Sequence, residues 1–388
     1  MNKVPKLRFK EFSEEWEEKR LGEVSEIIMG QSPSSSKYNE NFNGLPLIQG
    51  NADCKNRKVF PRIYTTEITK ESFPNDIIMT VRAPVGAISL SNIHSCIGRG
   101  VCAIRNASNF IYHYLIKLED SWDKLAQGST FTAVNSNNIK NLKINLPLLQ
   151  EQEKIADFLS SVDKKISITE EKLDLFKDYK KGIMQKIFNQ ELRFKDSNGN
   201  DYPEWEEKRL GNICYYFNGG SLESYVVNNG KYNLITLNSI SIEGNLKKEH
   251  KTVNINKNLL NKYDLVMVLS DVAHGNFLGL TAIIPEDNMF VLNQRMGGLK
   301  IKYDENVYYL RYYINSNQFY FKLHGQGSSQ LNLSKKDIED FIVKLPCLEE
   351  QQKIADFLSS IDNKIDNLAA ELENLKEFKK GLLQQMFV

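Results

Sequence analysis

The sequence predicts an α+β protein: two mixed α/β modules joined by two long, antiparallel, coiled-coil-like helices, with a pseudo-twofold internal repeat relating the halves. Three observations predict it. A heptapeptide occurs twice, a longer segment occurs twice at a constant offset, and both copies of that segment open an apolar heptad seam. Along the 388 residues this divides into a first module over 1–146, a central spacer helix over 147–190, a second module over 191–345 and a C-terminal spacer helix over 346–388.

The repeat is direct. WEEKRLG stands at residues 16–22 and again at 205–211, preceded by LRF at 7–9 and at 192–194. Residues 146–166 read LPLLQEQEKIADFLSSVDKKI and residues 345–365 read LPCLEEQQKIADFLSSIDNKI, identical at 16 of 21 positions with an offset of 199. The match resumes at YKKG, 179–182, and FKKG, 378–381. Between these segments, residues 25–125 and 213–325 differ strongly. A duplicated enzyme keeps its chemical residues alike in both copies. Here the frame is kept and the inserts are not, which suits two modules with different targets.

The helices follow from spacing. Ile155, Leu159, Val162, Ile166, Thr169, Leu173, Phe176, Lys180, Ile183 and Ile187 alternate steps of four and three, and so do Ile354, Leu358, Ile361, Ile365, Leu368, Leu372, Leu375, Lys379, Leu382 and Met386. This is a heptad seam over more than four heptads. Pro147 and Pro346 stand where a helix would begin. A helix over 150–187 is on the order of 55 Å long at ~1.5 Å per residue. Such a helix cannot bury its stripe alone, so the two are expected to pair. Lys180 and Lys379 occupy the same seam position, where a polar residue either fixes register or reaches out to solvent.

Within the modules, residues 76–82, 86–90, 263–270 and 279–284 read as β-strands, and 111–125 and 307–323 have helical spacing. Polar, glycine-bearing turns follow: QGSTFT at 127–132 and QGSSQL at 326–331. Their glycines permit close backbone approach to a phosphate, and their Ser, Thr and Gln side chains suit phosphates or base edges. Gln127, Ser129, Thr130, Gln326, Ser328 and Ser329 are therefore candidate nucleic-acid contacts. The alternative is a surface turn leading into a helix capped by Asn137 or Ser334. Further candidates lie at strand ends, namely Gln49, Asn51, Arg57, Arg82 and Arg99 in the first module. In the second they are Thr236, Asn238, Ser270, Asp271, His274, Asn293, Gln294 and Arg295. Arginine matches guanine bidentately and Asn or Gln matches adenine. Each of these residues could equally be structural.

Other function classes lack their motifs. GxxxxGK[ST], HExxH and GxSxG are absent. GRGVCA at 98–103 fits a loose GxGxxA pattern but leads into a strand, not a helix. No Asn/Asp-Pro-Pro-aromatic run of an adenine methyltransferase occurs, and the five histidines share no metal-ligand spacing. His274 beside Asp271 is the one pairing that invites a catalytic reading. Five dispersed cysteines without a CxxC pair argue against zinc and disulfides and for a reducing compartment. No apolar run long enough for a membrane span occurs, nor a secretory signal. The expectation is a cytoplasmic protein with no metal, no catalytic residue and no membrane contact. Net charge is +1; residues 1–146 carry 19 basic and 15 acidic side chains, and 189–345 carry 18 of each. Neither balance announces a polyanion partner, because phosphate binding needs local clustering.

The duplicated frame resembles a known family. The two 21-residue segments look like the repeated conserved regions of type I restriction–modification specificity (S) subunits. The WEEKRLG segments look like the starts of that family's target-recognition domains. The resemblance covers the whole chain in order; YDLVMV, VLNQR and the Gly327-Ser-Ser turn add to it in the second module. It implies that each module is a target-recognition domain reading one half of a bipartite site in double-stranded DNA. It further implies helices that set the gap, and docking of two methyltransferase (M) subunits on the exposed faces of 150–188 and 349–388. Restriction (R) subunits would join the full complex. S-adenosylmethionine, ATP and Mg would sit on those partners, and this chain would bind no cofactor. From another class, the alternative is a coiled-coil structural protein without affinity for DNA. The IGRG of the first module, at 97–100, departs from the LNQR of the second, at 292–295.

Overall fold

The computed structural model describes residues 4–119, 121–122, 134–272 and 275–388. Two compact units emerge, one of residues 1–172 with 368–388 and the other of 173–367. Compactness thus cuts the chain differently from its linear order, because each long helix contributes to both units.

The first unit opens with the WEEKRLG strand Glu17–Arg20, which pairs antiparallel with Lys143–Leu146, the strand just before the central helix. A six-stranded sheet contains, side by side, Glu26–Met29, Val101–Arg105, Ile77–Thr80 and Ile88–Leu90. A five-stranded sheet contains Tyr38–Asn39, Ile63–Thr65, Leu45–Ile48 and Ser95–Ile97. The second unit repeats the plan. Glu206–Arg209 pairs with Ile342–Leu345. One four-stranded sheet runs Cys214–Asn218, Met296–Ile301, Leu265–Val268, Thr281–Ile283. The other runs Val226–Val227, Lys251–Val253, Tyr232–Ile235, Phe290–Leu292. The apolar runs 77–80 and 265–268 are fully buried, as expected of strands covered on both faces. The dissimilar inserts therefore share a four-strand order in each sheet, to which the first unit adds two strands in one sheet and one in the other.

Helices Asn109–Lys117 and Val307–Ser316 begin at side-chain caps, Ser108 and Asn306. Ser334 caps Lys335–Glu339 as expected, but the cap of Ser136–Lys140 is Asn135, not Asn137; its side chain accepts from the Asn138 N–H. The long helices run Leu149–Phe188 and Leu348–Met386. Every seam position named from the sequence is buried or half-buried.

In each unit the two helices pair antiparallel. In the first, Asp163 meets Lys379 and Glu170 meets Lys376 at 2.7 Å, so advancing along one helix retreats along the other. In the second, Lys180 meets Asp362 at 2.5 Å, while Phe176 lies beneath Lys364. The seam lysines are thus paired with aspartates at repeat-equivalent positions. Lys379 is buried, and its pKa is lowered by desolvation against the opposing pull of Asp163. Asp163 also lies 3.9 Å from His113. Burial, then Lys379 and Arg57, hold that imidazole down to about 3. His113 is therefore neutral near pH 7, and the contact is neither an ion pair nor, at that distance, a hydrogen bond.

Two more devices repeat. Arg8 forms a two-pronged pair with buried Glu151, and Arg193 does the same with buried Glu350. This explains the duplicated LRF: its arginine ties the entry of each module to the start of a long helix. The helix ends also plug the cores. Leu382, Leu383, Met386 and Phe387 join Trp16, Phe110 and Ile155 in the first unit, and Ile187 and Phe188 join Tyr309, Tyr313 and Ile354 in the second.

Candidate nucleic-acid interface

In each unit, one turn is held by backbone bonds to the ends of three neighbouring strands. In the first it spans 98–101, closed by Val101 N–H donating to Gly98 C=O at 3.1 Å. Gly98 N–H donates to Ile48 C=O, Val81 N–H to Gly100 C=O and Gly30 N–H to Val101 C=O. In the second, Met296 N–H closes onto Asn293 C=O at 3.0 Å. Asn293 N–H donates to Ile235, Leu269 N–H to Arg295 and Gly219 N–H to Met296. The bonds correspond one for one, so Arg99 matches Gln294 and Gly100 matches Arg295. The hydrogen bonds give the same register as the sequence comparison of 97–100 with 292–295.

The candidates divide by whether their side chains are already engaged. Arg57 is committed to Glu119 through two bonds of 2.6 and 2.9 Å, with a third to Ile88 C=O. Thr236 caps the turn Leu237–Ser239 through Ser239. Ser270 is buried and donates to Asn332 Oδ1 at 2.6 Å. Asp271 is buried and accepts from Val272 and Phe277 N–H groups. Asn293 is buried, donates to Glu223 and accepts from Gln294 N–H. By contrast, Arg82, Arg99, Gln294 and Arg295 are exposed. Among the described residues, none of these four side chains has a hydrogen-bond or ion-pair partner. Gln49 is half-buried, and Asn51 and Asn238 are exposed at short turns. Gln326, Ser328 and Ser329 are exposed on a turn closed by a paired bridge from Gln326 to Asn332. Gln127, Ser129, Thr130 and His274 lie outside the described residues.

Sequence reasoning missed the residues that shape the turns. Ser32 Oγ accepts from Arg99 N–H at 3.1 Å. Buried Asp53 accepts from Gln49 N–H and from Arg62, each at 2.8 Å. A polar side chain five residues beyond a strand end, as Asp53 is beyond Ile48, was the available signal. Two glycines have packing reasons. A Cβ at Gly100 would stand 1.9 Å from Gln49 C=O, and Gly327 has φ +127° with Gln330 C=O at 2.0 Å from where its Cβ would be. Gly100→Ala will push that backbone aside and cost about 1–3 kcal/mol; a lowered urea midpoint checks this.

Among the described residues, no group of three or more His, Cys, Asp and Glu could hold a metal ion. The five cysteines are free, and burial pushes the Cys102 and Cys214 thiols up to about 12. No described helix is long and apolar enough to cross a membrane.

Fold and site together define a duplicated scaffold in which each unit presents, on the same kind of turn, different side chains without partners among the described residues. A family described as type I restriction modification DNA specificity domain matches residues 13–176 and 202–377. The chain belongs to that family. It is 35% identical over 192 residues to a putative type I restriction enzyme MjaX specificity subunit of Methanocaldococcus jannaschii, covering 48% of this chain and 45% of that protein. It is 27% identical over 289 residues to the MjaVIII specificity subunit of the same organism, covering 70% and 67%. Over 415 aligned residues it is 21% identical to the EcoBI specificity subunit of Escherichia coli, covering 93% and 84%. The match thus spans about half the length of the first of these relatives. Among solved structures, the S subunit of a type I restriction–modification system from M. genitalium matches with a TM-score of 0.65, 17% identity and 99% coverage of both chains. A chain from work on complex assembly and conformational transition of the type I R-M system matches with a TM-score of 0.58 and 18% identity, covering 96% of this chain and 97% of that one. At these identities the likeness shows the fold alone.

Proposed function

We propose that this chain is the DNA-specificity subunit of a type I restriction–modification complex. Each module reads one half of a bipartite site in double-stranded DNA. The long helices set the gap between the halves and carry two methyltransferase subunits, which restriction subunits join in the full complex. The chain itself is non-catalytic and cytoplasmic. It holds no cofactor; S-adenosylmethionine, ATP and Mg belong to the partners.

One observation carries this reading: two units with a common four-strand order in their sheets and the same turn, bearing Arg99 in one and Gln294 with Arg295 in the other. A shared frame with unlike exposed polar residues is what two readers of different sequences require. An enzyme duplicated for chemistry would keep those residues alike. The relatives named above as specificity subunits support the same reading.

The test is co-expression with the methyltransferase of the same system, followed by footprinting. The expected outcome is a stable complex that protects two short DNA tracts separated by an unprotected gap. A chain that purifies alone and leaves duplex DNA unprotected would instead be a coiled-coil structural protein.

A further inference from the structure

The matched turns carry one further step, which rests on the DNA-specificity reading above. We propose that turns 98–101 and 293–296 are the base-reading elements of the two modules. Arg99 addresses a guanine in one half-site; Gln294 and Arg295 address an adenine and a neighbouring guanine in the other.

A side chain that discriminates bases must hold its donors within a few tenths of an ångström of the base edge, so its backbone must not drift. Turn 98–101 is bonded to three neighbouring segments: Gly98 to Ile48, Gly100 to Val81 and Arg99 N–H to Ser32 Oγ. Close packing of Gly100 on the Gln49 carbonyl leaves no slack. Turn 293–296 is bonded to Ile235 and Leu269, and Asn293 braces it by reaching Glu223 at 3.0 Å and accepting from Gln294 N–H at 2.9 Å. Arg99, Gln294 and Arg295 themselves are exposed, with no partner among the described residues. Neighbouring polar candidates are spent: Arg57 on Glu119, Ser270 on Asn332, Thr236 on Ser239.

The chemistry then assigns the bases. A guanidinium offers two parallel N–H groups that match the O6 and N7 acceptors of guanine. A carboxamide offers one donor and one acceptor, matching adenine N7 and N6. Position 100 is glycine in the first turn and its counterpart is Arg295, so the first turn reads one base and the second reads two.

The experiment uses the full chain with its methyltransferase partner. It selects from duplex DNA in which both half-sites and the gap are randomised, comparing the wild type with Arg99→Gln, Arg99→Lys and Gln294→Arg. Arg99→Gln is expected to replace one guanine by adenine in a single half-site, with preference for guanine falling about 5- to 150-fold, and to leave the other half-site unchanged. Arg99→Lys retains the guanine, because an ammonium still donates to O6 and N7. Gln294→Arg converts an adenine to guanine in the opposite half. If Arg99→Gln keeps every base, weakens binding uniformly and flattens the salt dependence, Arg99 contacts phosphate and the proposal is overturned. A base change in both halves also overturns it. If the wild type itself enriches no bipartite sequence, the DNA-specificity reading fails with it. If the wild type enriches one and the variants keep it, that reading stands and only the proposal falls.

Discussion

Removing residues 382–388 will unfold the unit built on residues 1–172 and leave the unit of 173–367 folded. The deleted stretch is at the far end of the chain from the module it destroys. Leu382, Leu383, Met386 and Phe387 are at most 7% exposed and sit in one core with Trp16, Phe110 and Tyr114. Phe387 packs edge-on against Trp16 and Tyr114 with ring centroids 6.4 and 5.5 Å away. Burying such side chains contributes about 1.5–3 kcal/mol each. Losing four removes on the order of 6–12 kcal/mol, comparable with the whole stability of a domain at about 5–15 kcal/mol. The second core draws its matching plug from Ile187 and Phe188, which the deletion does not touch. Hydrogen exchange reads the outcome directly. Strands Ile77–Thr80 and Val101–Arg105 lose protection, while Leu265–Val268 and Met296–Ile301 keep it. Equal loss in both units would refute the division.

Glu350→Ala will destabilise the second unit by about 3–5 kcal/mol. Glu350 is fully buried and accepts two bonds from Arg193, of 3.2 and 2.7 Å, and one from Trp205 Nε1 at 3.1 Å. Removing the carboxylate leaves the guanidinium only the Tyr202 and Pro203 carbonyls and leaves the indole N–H without a bond. An uncompensated charge, not the lost pair itself, supplies most of the penalty. The double variant Glu350→Ala with Arg193→Met will therefore recover part of the loss. A urea midpoint for the double variant as low as that of the single one would show that charge burial is not the cause.

These two predictions also mark what was legible in the sequence. The seam could be read from spacing alone, because a helix repeats every 3.6 residues and a half-buried stripe must follow that repeat. Every named position from Ile155 to Ile183 and from Ile354 to Leu382 is buried or half-buried. The duplicated LRF was visible, but its reason was not, since Arg193 and Glu350 are 157 residues apart and only the fold brings them together. The same limit governed the candidate interface. Arg57 and Arg99 look alike in sequence, yet one is consumed by Glu119 and the other has no side-chain partner among the described residues. The pairing of Arg99 with Gln294 could be set out from the sequence, but side chains that diverge gave no reason for it; the matching backbone bonds do.

If the paired helices fix the distance between two DNA readers, as proposed, methylation mapping will show it. Matched seven-residue insertions after 170 and after 369, which preserve the seam, lengthen each helix by about 10 Å. Sequencing the methylated adenines made by the variant with its methyltransferase will show both half-site sequences unchanged and a longer gap between them, by about three base pairs at 3.4 Å each. A folded, active variant that keeps the original gap would rule out the helices as the spacer.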